Sequence, residues 1–195
     1  MKYLILIISL LHVSFGSLEA SQTKITSSAL DKIETIYLGG GCFWGLQDLL
    51  RQQKGVVKTE VGYMGDTHTK ATYELVKTGQ TAFAETVLVK FDTTKTNLNK
   101  ILKYFFKIHD PTTLNRQGND IGKQYRSIIF FSNQEQKHIA NNLIKELDQK
   151  KIFKNKITTE LAPVLQWHKA EDNHQDYLQK NPDGYTCHYE RKLSF

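Results

Sequence analysis

The chain is poor in cysteine, with two among its 195 residues, Cys42 and Cys187. That count excludes a scaffold built on several disulfides and leaves either one static cross-link or a pair of working thiols. Metal chemistry is missing too, since His168 and His174 lack Cys or His partners at zinc spacing. Positive charge is in excess, at +6, but the Lys and Arg residues form no aromatic-interleaved patch, which argues against a nucleic-acid binder. The basic run KKIFKNK over 150–156 reads as a solvated turn. No self-similarity appears at periods of about 20–50 residues, which excludes a repeat architecture.

Long apolar runs are scarce. The one from Tyr3 to Leu11 is too short for a comfortable membrane span, which takes about 20 residues. It follows Lys2 and precedes the small residues Ser14 and Gly16, so residues 1–20 read as a secretory signal cleaved near Gly16 or Ala20, with a retained anchor as the alternative. Export, to a periplasm or out of the cell, puts both cysteines in an oxidising compartment. Residues 21–33 are rich in Ser and Thr and read as a linker, leaving 34–195 as one domain. With 39% apolar and 11% aromatic residues, the chain has enough to bury a single core.

Within that domain short β-like runs alternate with helical ones. ETIYLG reads as a strand ending at glycines, and WGLQDLLRQQ as a helix. VVKTEVGY reads as a strand with Val57, Thr59, Val61 and Tyr63 on one face, and FAETVLVKF as another. NLNKILKYFFKIH places Leu98, Ile101, Leu102 and Phe105 on one helical stripe. After the strand YRSIIFF, Ser132 and Glu135 have capping-box spacing before a helix with Ile139, Leu143, Ile144 and Leu147 inside. ITTELAP reads as a further strand and EDNHQDYLQK as a last short helix. Strands and helices sharing one core imply an α/β or α+β two-layer domain. Residues 109–124, HDPTTLNRQGNDIGKQ, are too long for a plain connection and carry turn residues, which points to a shaped loop at a site.

Chemistry concentrates at GGGCFWG, residues 39–45. A strand ending in three glycines and turning at once into a helix aims the first helical N–H groups at Cys42, and those donors favour a thiolate. A buried, inert cysteine among packing glycines is the plainer reading. Phe43 and Trp44 either wall a small methyl-bearing ligand or fill core. Period-2 alternation puts Glu85 on the same inner face as Val87, Val89 and Phe91. A desolvated carboxyl there favours its neutral, proton-donating form and is a candidate general acid, unless it pairs with a neighbour such as Arg126. Tyr73 and Tyr125 offer phenols at element boundaries, and Asp120 lies in the site loop.

Several stretches together resemble one family. GGCFWG (40–45), EVGYMGD (60–66), ATYELV (71–76), FAETV (83–87), HDPTTLNRQGNDIGKQYRS (109–127), ITTEL (157–161) and AEDNHQDYLQKNPDGY (170–185) are similar, in order, to peptide-methionine (S)-S-oxide reductases, the MsrA family. The resemblance implies a ferredoxin-like α+β two-layer sandwich. It implies a nucleophile at Cys42, Phe43 and Trp44 around the substrate methyl, an acid at Glu85, phenols of Tyr73 and Tyr125 on the sulfoxide oxygen, and Asp120 near the substrate. Reduction of methionine-S-sulfoxide in proteins, and by the same chemistry of the free amino acid, then leaves a Cys42 sulfenic acid. Cys187 is the other cysteine and is expected to resolve it as a Cys42–Cys187 disulfide, which a thioredoxin-like donor or a small dithiol reopens, with no bound cofactor. Phe83 stands where many relatives carry His before the Ala-Glu pair, and the tail GYTCHYERKLSF sets Cys187 one position later than the common GYC. Outside this family, the rival readings are a disulfide-stapled exported binding module and a cysteine hydrolase pairing Cys42 with His109 or His174.

Overall fold

A computed structural model describes residues 32–68 and 70–195. The segment read as a signal, residues 1–20, and the linker up to Asp31 lie outside the described residues. The described chain builds one mixed sheet with helices against it. The strands are β1 (Ile33–Gly40), β2 (Val56–Met64), β3 (Ala84–Asp92), β4 (Arg116–Gln117), β5 (Asp120–Ile121), β6 (Ser127–Phe131), β7 (Glu160–Pro163) and β8 (His168–Lys169). The helices are α1 (Phe43–Arg51), α2 (Tyr73–Val76), α3 (Leu98–Ile108), α4 (Gln134–Gln149) and α5 (Tyr177–Lys180). Six strands form the main sheet in the order β7-β6-β1-β3-β2-β8. Each neighbouring pair is antiparallel except β6 and β7, which run parallel.

The sheet is covered on both faces, which is why β3 is buried along almost its whole length. One face carries Ile36, Leu38, Val61, Val87, Val89 and Phe91 into the main core, where Leu46 and Leu50 of α1 and Ile101, Leu102 and Phe105 of α3 meet them. Full burial of each such side chain contributes about 1.5–3 kcal/mol. The other face carries a smaller cluster of Met64, Ala84, Ile128 and Phe130 under Tyr37 and Trp167. The stripe expected on α3 is buried as its 3.6-residue period requires. That helix begins at Asn97, whose side-chain oxygen accepts from the Lys100 N–H at 3.0 Å.

Four local expectations are corrected. Val57 leaves the inner face of β2 and is 52% exposed, because the register against β3 slips between Val56 and Lys58. The cap of α4 is one residue later than expected: Asn133 accepts from Gln136 N–H at 2.9 Å, while Gln136 Oε1 reaches back to the Ser132 N–H at 2.9 Å. The last helix shrinks to Tyr177–Lys180, preceded by Asp176 in the left-handed region at φ 54°. The strand in ITTELAP begins only at Glu160. The loop over 109–124 is ordered by a small β4–β5 hairpin and by Asp110, whose carboxylate accepts from both the N–H and the hydroxyl of Thr112.

Candidate active site

Strand β1 delivers Gly39, Gly40 and Gly41 to the start of α1, and Cys42 is the residue that caps that helix. Gly41 sits at φ 106°, a conformation a side chain would strain. The next residue in sequence, Phe43, donates its backbone N–H to Glu85 Oε2 at 3.0 Å, tying the helix start to β3. Glu85 is 2% exposed. Burial pushes its carboxyl up to about 8, the negative Asp120 adds to this, and the Phe43 N–H opposes it. The proton-donating form expected from strand alternation is therefore the resting form near neutrality. Arg126 does not neutralise it, because that guanidinium pairs with Glu160 at 3.1 Å and donates to the carbonyls of Lys123 and Ala82.

The thiolate expected at Cys42 is corrected. Cys42 is only 7% exposed, and burial first, then the neighbouring Glu85, hold its thiol far above the ordinary range. The backbone N–H of Trp44, the helix-terminal donor anticipated from sequence, pulls the other way and is outweighed. Free of substrate, the site holds a protonated sulfur beside a protonated acid.

A small pocket of about 100 Å³ is lined by Cys42, Phe43, Trp44, Tyr73, Glu85, Asp120, Tyr125 and Tyr185. Phe43 is fully buried and Trp44 half-buried, so the two aromatics form one floor and one wall. The Trp44 ring is clamped by Tyr177, stacked at 3.8 Å and 14°, and its Nε1–H donates to His174 Nδ1 at 3.1 Å. The imidazole of His174 also lies against Tyr73, 4.5 Å between ring centres. Glu171 fixes the same wall by accepting from the Tyr73 N–H at 2.9 Å and the Tyr63 hydroxyl at 3.0 Å. Burial raises the phenols of Tyr73 and Tyr125, and Glu85 adds to both, so they stay protonated donors. Sequence reasoning missed Tyr185, Tyr177 and Glu171 as parts of this site, and named His174 only as a hydrolase base, not as the support of Trp44 and Tyr73. Tyr185 lies in the matched run ending at 185, and its hydroxyl donates to Asp120 Oδ2 at 3.1 Å.

The C-terminal tail reaches the same place. Cys42 and Cys187 are both free thiols, the second half-buried beside Asp120. Glycine makes room for this approach: a Cβ on Gly118 would stand 3.2 Å from Cys187 Cβ. Phe83 is buried, its ring 5.3 Å from that of His168 and nearly perpendicular to it.

The hydrolase reading fails on geometry. Both ring nitrogens of His109 are engaged, Nδ1 with Phe105 O at 2.7 Å and Nε2 with Ser127 Oγ at 2.8 Å, and burial pushes this imidazole down to about 3. His174 spends Nδ1 on Trp44. Among the described residues no three His, Cys, Asp or Glu side chains converge as a metal site.

Residues 34–194 match the family model of peptide methionine sulfoxide reductase. The peptide methionine sulfoxide reductase MsrA of Nocardia farcinica is 47% identical over 154 residues, 79% of this chain and 88% of that one. Among solved structures, the reduced form of Mxr1 from Saccharomyces cerevisiae superposes with a TM-score of 0.77 at 36% identity, covering 83% of this chain and 94% of that one. Methionine sulfoxide reductase A of Corynebacterium diphtheriae gives 0.69 at 38% identity, covering 80% and 78%. A buried cysteine, a neutral carboxyl and an aromatic wall therefore sit in a chain that belongs to the peptide methionine sulfoxide reductase family, and the protein is an enzyme of that activity.

Proposed function

We propose that the enzyme reduces methionine-S-sulfoxide in oxidised proteins and peptides through a Cys42 sulfenic acid, with Glu85 as its proton carrier. The observation that carries this reading is the buried, protonated Glu85 sharing one small pocket with Cys42. The substrate methyl lies against Phe43 and Trp44, the sulfoxide oxygen takes hydrogen bonds from Tyr73 and Tyr125, and Asp120 borders the opening. Glu85 gives its proton to the sulfoxide oxygen, which makes the sulfur electrophilic. Cys42 attacks that sulfur as its own proton passes to the carboxylate Glu85 has become. The S–S bond so formed and the methionine S–O bond then break as the hydroxyl passes to the Cys42 sulfur, leaving a sulfenic acid there and the free thioether.

Cys187 then condenses with the sulfenic acid, releasing water and forming the Cys42–Cys187 disulfide. A thioredoxin-like dithiol reopens it by exchange, one thiol attacking and the second releasing the donor. The half-buried position of Cys187 beside Asp120 supports its role as the point of entry. The order β6-β1-β3-β2, with α1 and α3 as crossovers on one face, supports the ferredoxin-like description. Lys2, the apolar run and the small residues after it support export, and the mature protein is expected to begin after Gly16 or Ala20. Sequencing its N-terminus checks this, and an intact Met1 overturns it.

With dithiothreitol, an S-sulfoxide peptide is expected to lose one oxygen by mass without being cleaved. Cys187→Ser forms one methionine per protein but then stalls with a thioredoxin-like donor. Undiminished multiple turnover with that donor would remove Cys187 from the cycle. A binding module would leave the peptide unchanged.

A further inference from the structure

His188 is a buried titratable group that the steps above leave idle. Its Nε2 lies 2.7 Å from the Gly40 carbonyl oxygen. A carbonyl only accepts, so Nε2 carries the hydrogen, and in neutral imidazole Nδ1 is then a bare lone pair. That lone pair lies 3.4 Å from Cys187 Sγ. The ring occupies space left by two missing side chains: a Cβ on Gly41 would come within 3.1 Å of Cε1, and one on Gly45 within 2.8 Å of Nδ1. On either side the tail is pinned again, by Tyr185 on Asp120 and by the Arg191 N–H on Lys107 O at 3.0 Å.

Resting on the reading of Cys187 as the resolving thiol, we propose that His188 is a catalytic residue of the second half-reaction: it seats the tail among the glycines, and its Nδ1 takes the Cys187 proton as the disulfide closes. The Cys187 S–H bond breaks and its proton goes to Nδ1. The S–S bond forms while the Cys42 S–O bond breaks, and the departing hydroxide takes the proton from Nδ1 to leave as water. One thiol and one sulfenic acid become one disulfide and one water, with no electrons from outside. Burial pushes the imidazole down to about 4 and the Cys187 thiol up to about 12. A separated imidazolium–thiolate pair therefore does not accumulate, and the proton moves together with S–S formation. Asp120 on β5 favours the imidazolium, while Arg191 in the tail and His109 at the end of α3 oppose it.

The test separates the two half-reactions by rapid mixing of the full chain with sulfoxide peptide. Methionine is read by mass, the disulfide by loss of the second titratable thiol, and rates are normalised to the burst of methionine. His188→Gln can still donate to Gly40 O but lacks an acceptor at the Nδ1 position. Disulfide closure in this variant is expected to slow about a hundredfold and to acquire a steep rise with pH, about tenfold per unit, as free thiolate takes over. In the unmodified enzyme closure is expected to be level between about pH 5 and about pH 9, because a neutral His188 is present throughout. A steep rise there, or closure at the unmodified rate in His188→Gln, overturns the proposal, and the first of these needs no variant to fold. If no Cys42–Cys187 disulfide forms in the unmodified enzyme at all, the resolving role of Cys187 has failed instead.

Discussion

Cys42→Ser is expected to give no methionine above background from a sulfoxide peptide, a loss of at least about 10⁴-fold for removal of a nucleophile. The reason is chemical: the oxygen must end on a sulfur that can exist as a sulfenic acid, and a hydroxyl has no such state. The side chain is small and sits in a pocket already lined by Tyr73, Asp120 and Tyr125, so the fold tolerates the change. Circular dichroism and mass analysis of the peptide read both outcomes in one preparation. Residual dithiol-driven methionine formation by a folded Cys42→Ser protein would move the nucleophile elsewhere.

Glu85→Gln is expected to lower the rate by about 10²–10⁴-fold, the range of a lost general acid. The amide oxygen can still accept from Phe43 N–H, so the start of α1 stays tied to β3. In the unmodified enzyme the rate falls as pH rises through about 8, where Glu85 loses its proton, and the residual rate of the variant lacks that fall. Stability changes with pH in the same sense. In the unfolded chain this carboxyl ionises near its ordinary 4.5, whereas in the fold it keeps its proton until about 8. Between those values the unfolded state binds fewer protons, so the unmodified protein loses stability as pH rises. Glu85→Gln removes that slope: it melts with the unmodified protein at low pH and above it at pH 8. Thermal melts at the two pH values check this, and parallel melting curves would contradict a buried neutral Glu85.

The parts of the site legible in sequence are those that local pattern places. Alternation along FAETVLVKF set Glu85 facing the core, and the glycine run turning into a helix set Cys42 at a helix start. What stayed hidden depends on chain segments far apart. The helix-terminal N–H at Trp44 is a local feature, but the desolvation that overrides it comes from everything packed over Cys42. Glu171 and His174 precede the short α5 and Tyr177 opens it, so no periodic pattern marks them as the clamp on Trp44 and Tyr73. The fold shows the same division. The period of α3 was readable, while the slip beside Val57 arises only when β2 meets β3. The cap at Asn133 competed with an equally good motif one residue earlier.

The outer strands of the main sheet bear on the company this enzyme keeps. Oxidised polypeptides tend to open, and an open sheet edge is a template on which exposed segments of another chain can add and seed co-aggregation. One edge here is the four-residue β7, which closes on Pro163, a residue with no N–H to offer. The other is β8, two residues long and carrying Lys169. Among the described residues, the two outermost strands are thus too short to serve a damaged client as a long border on which to nucleate.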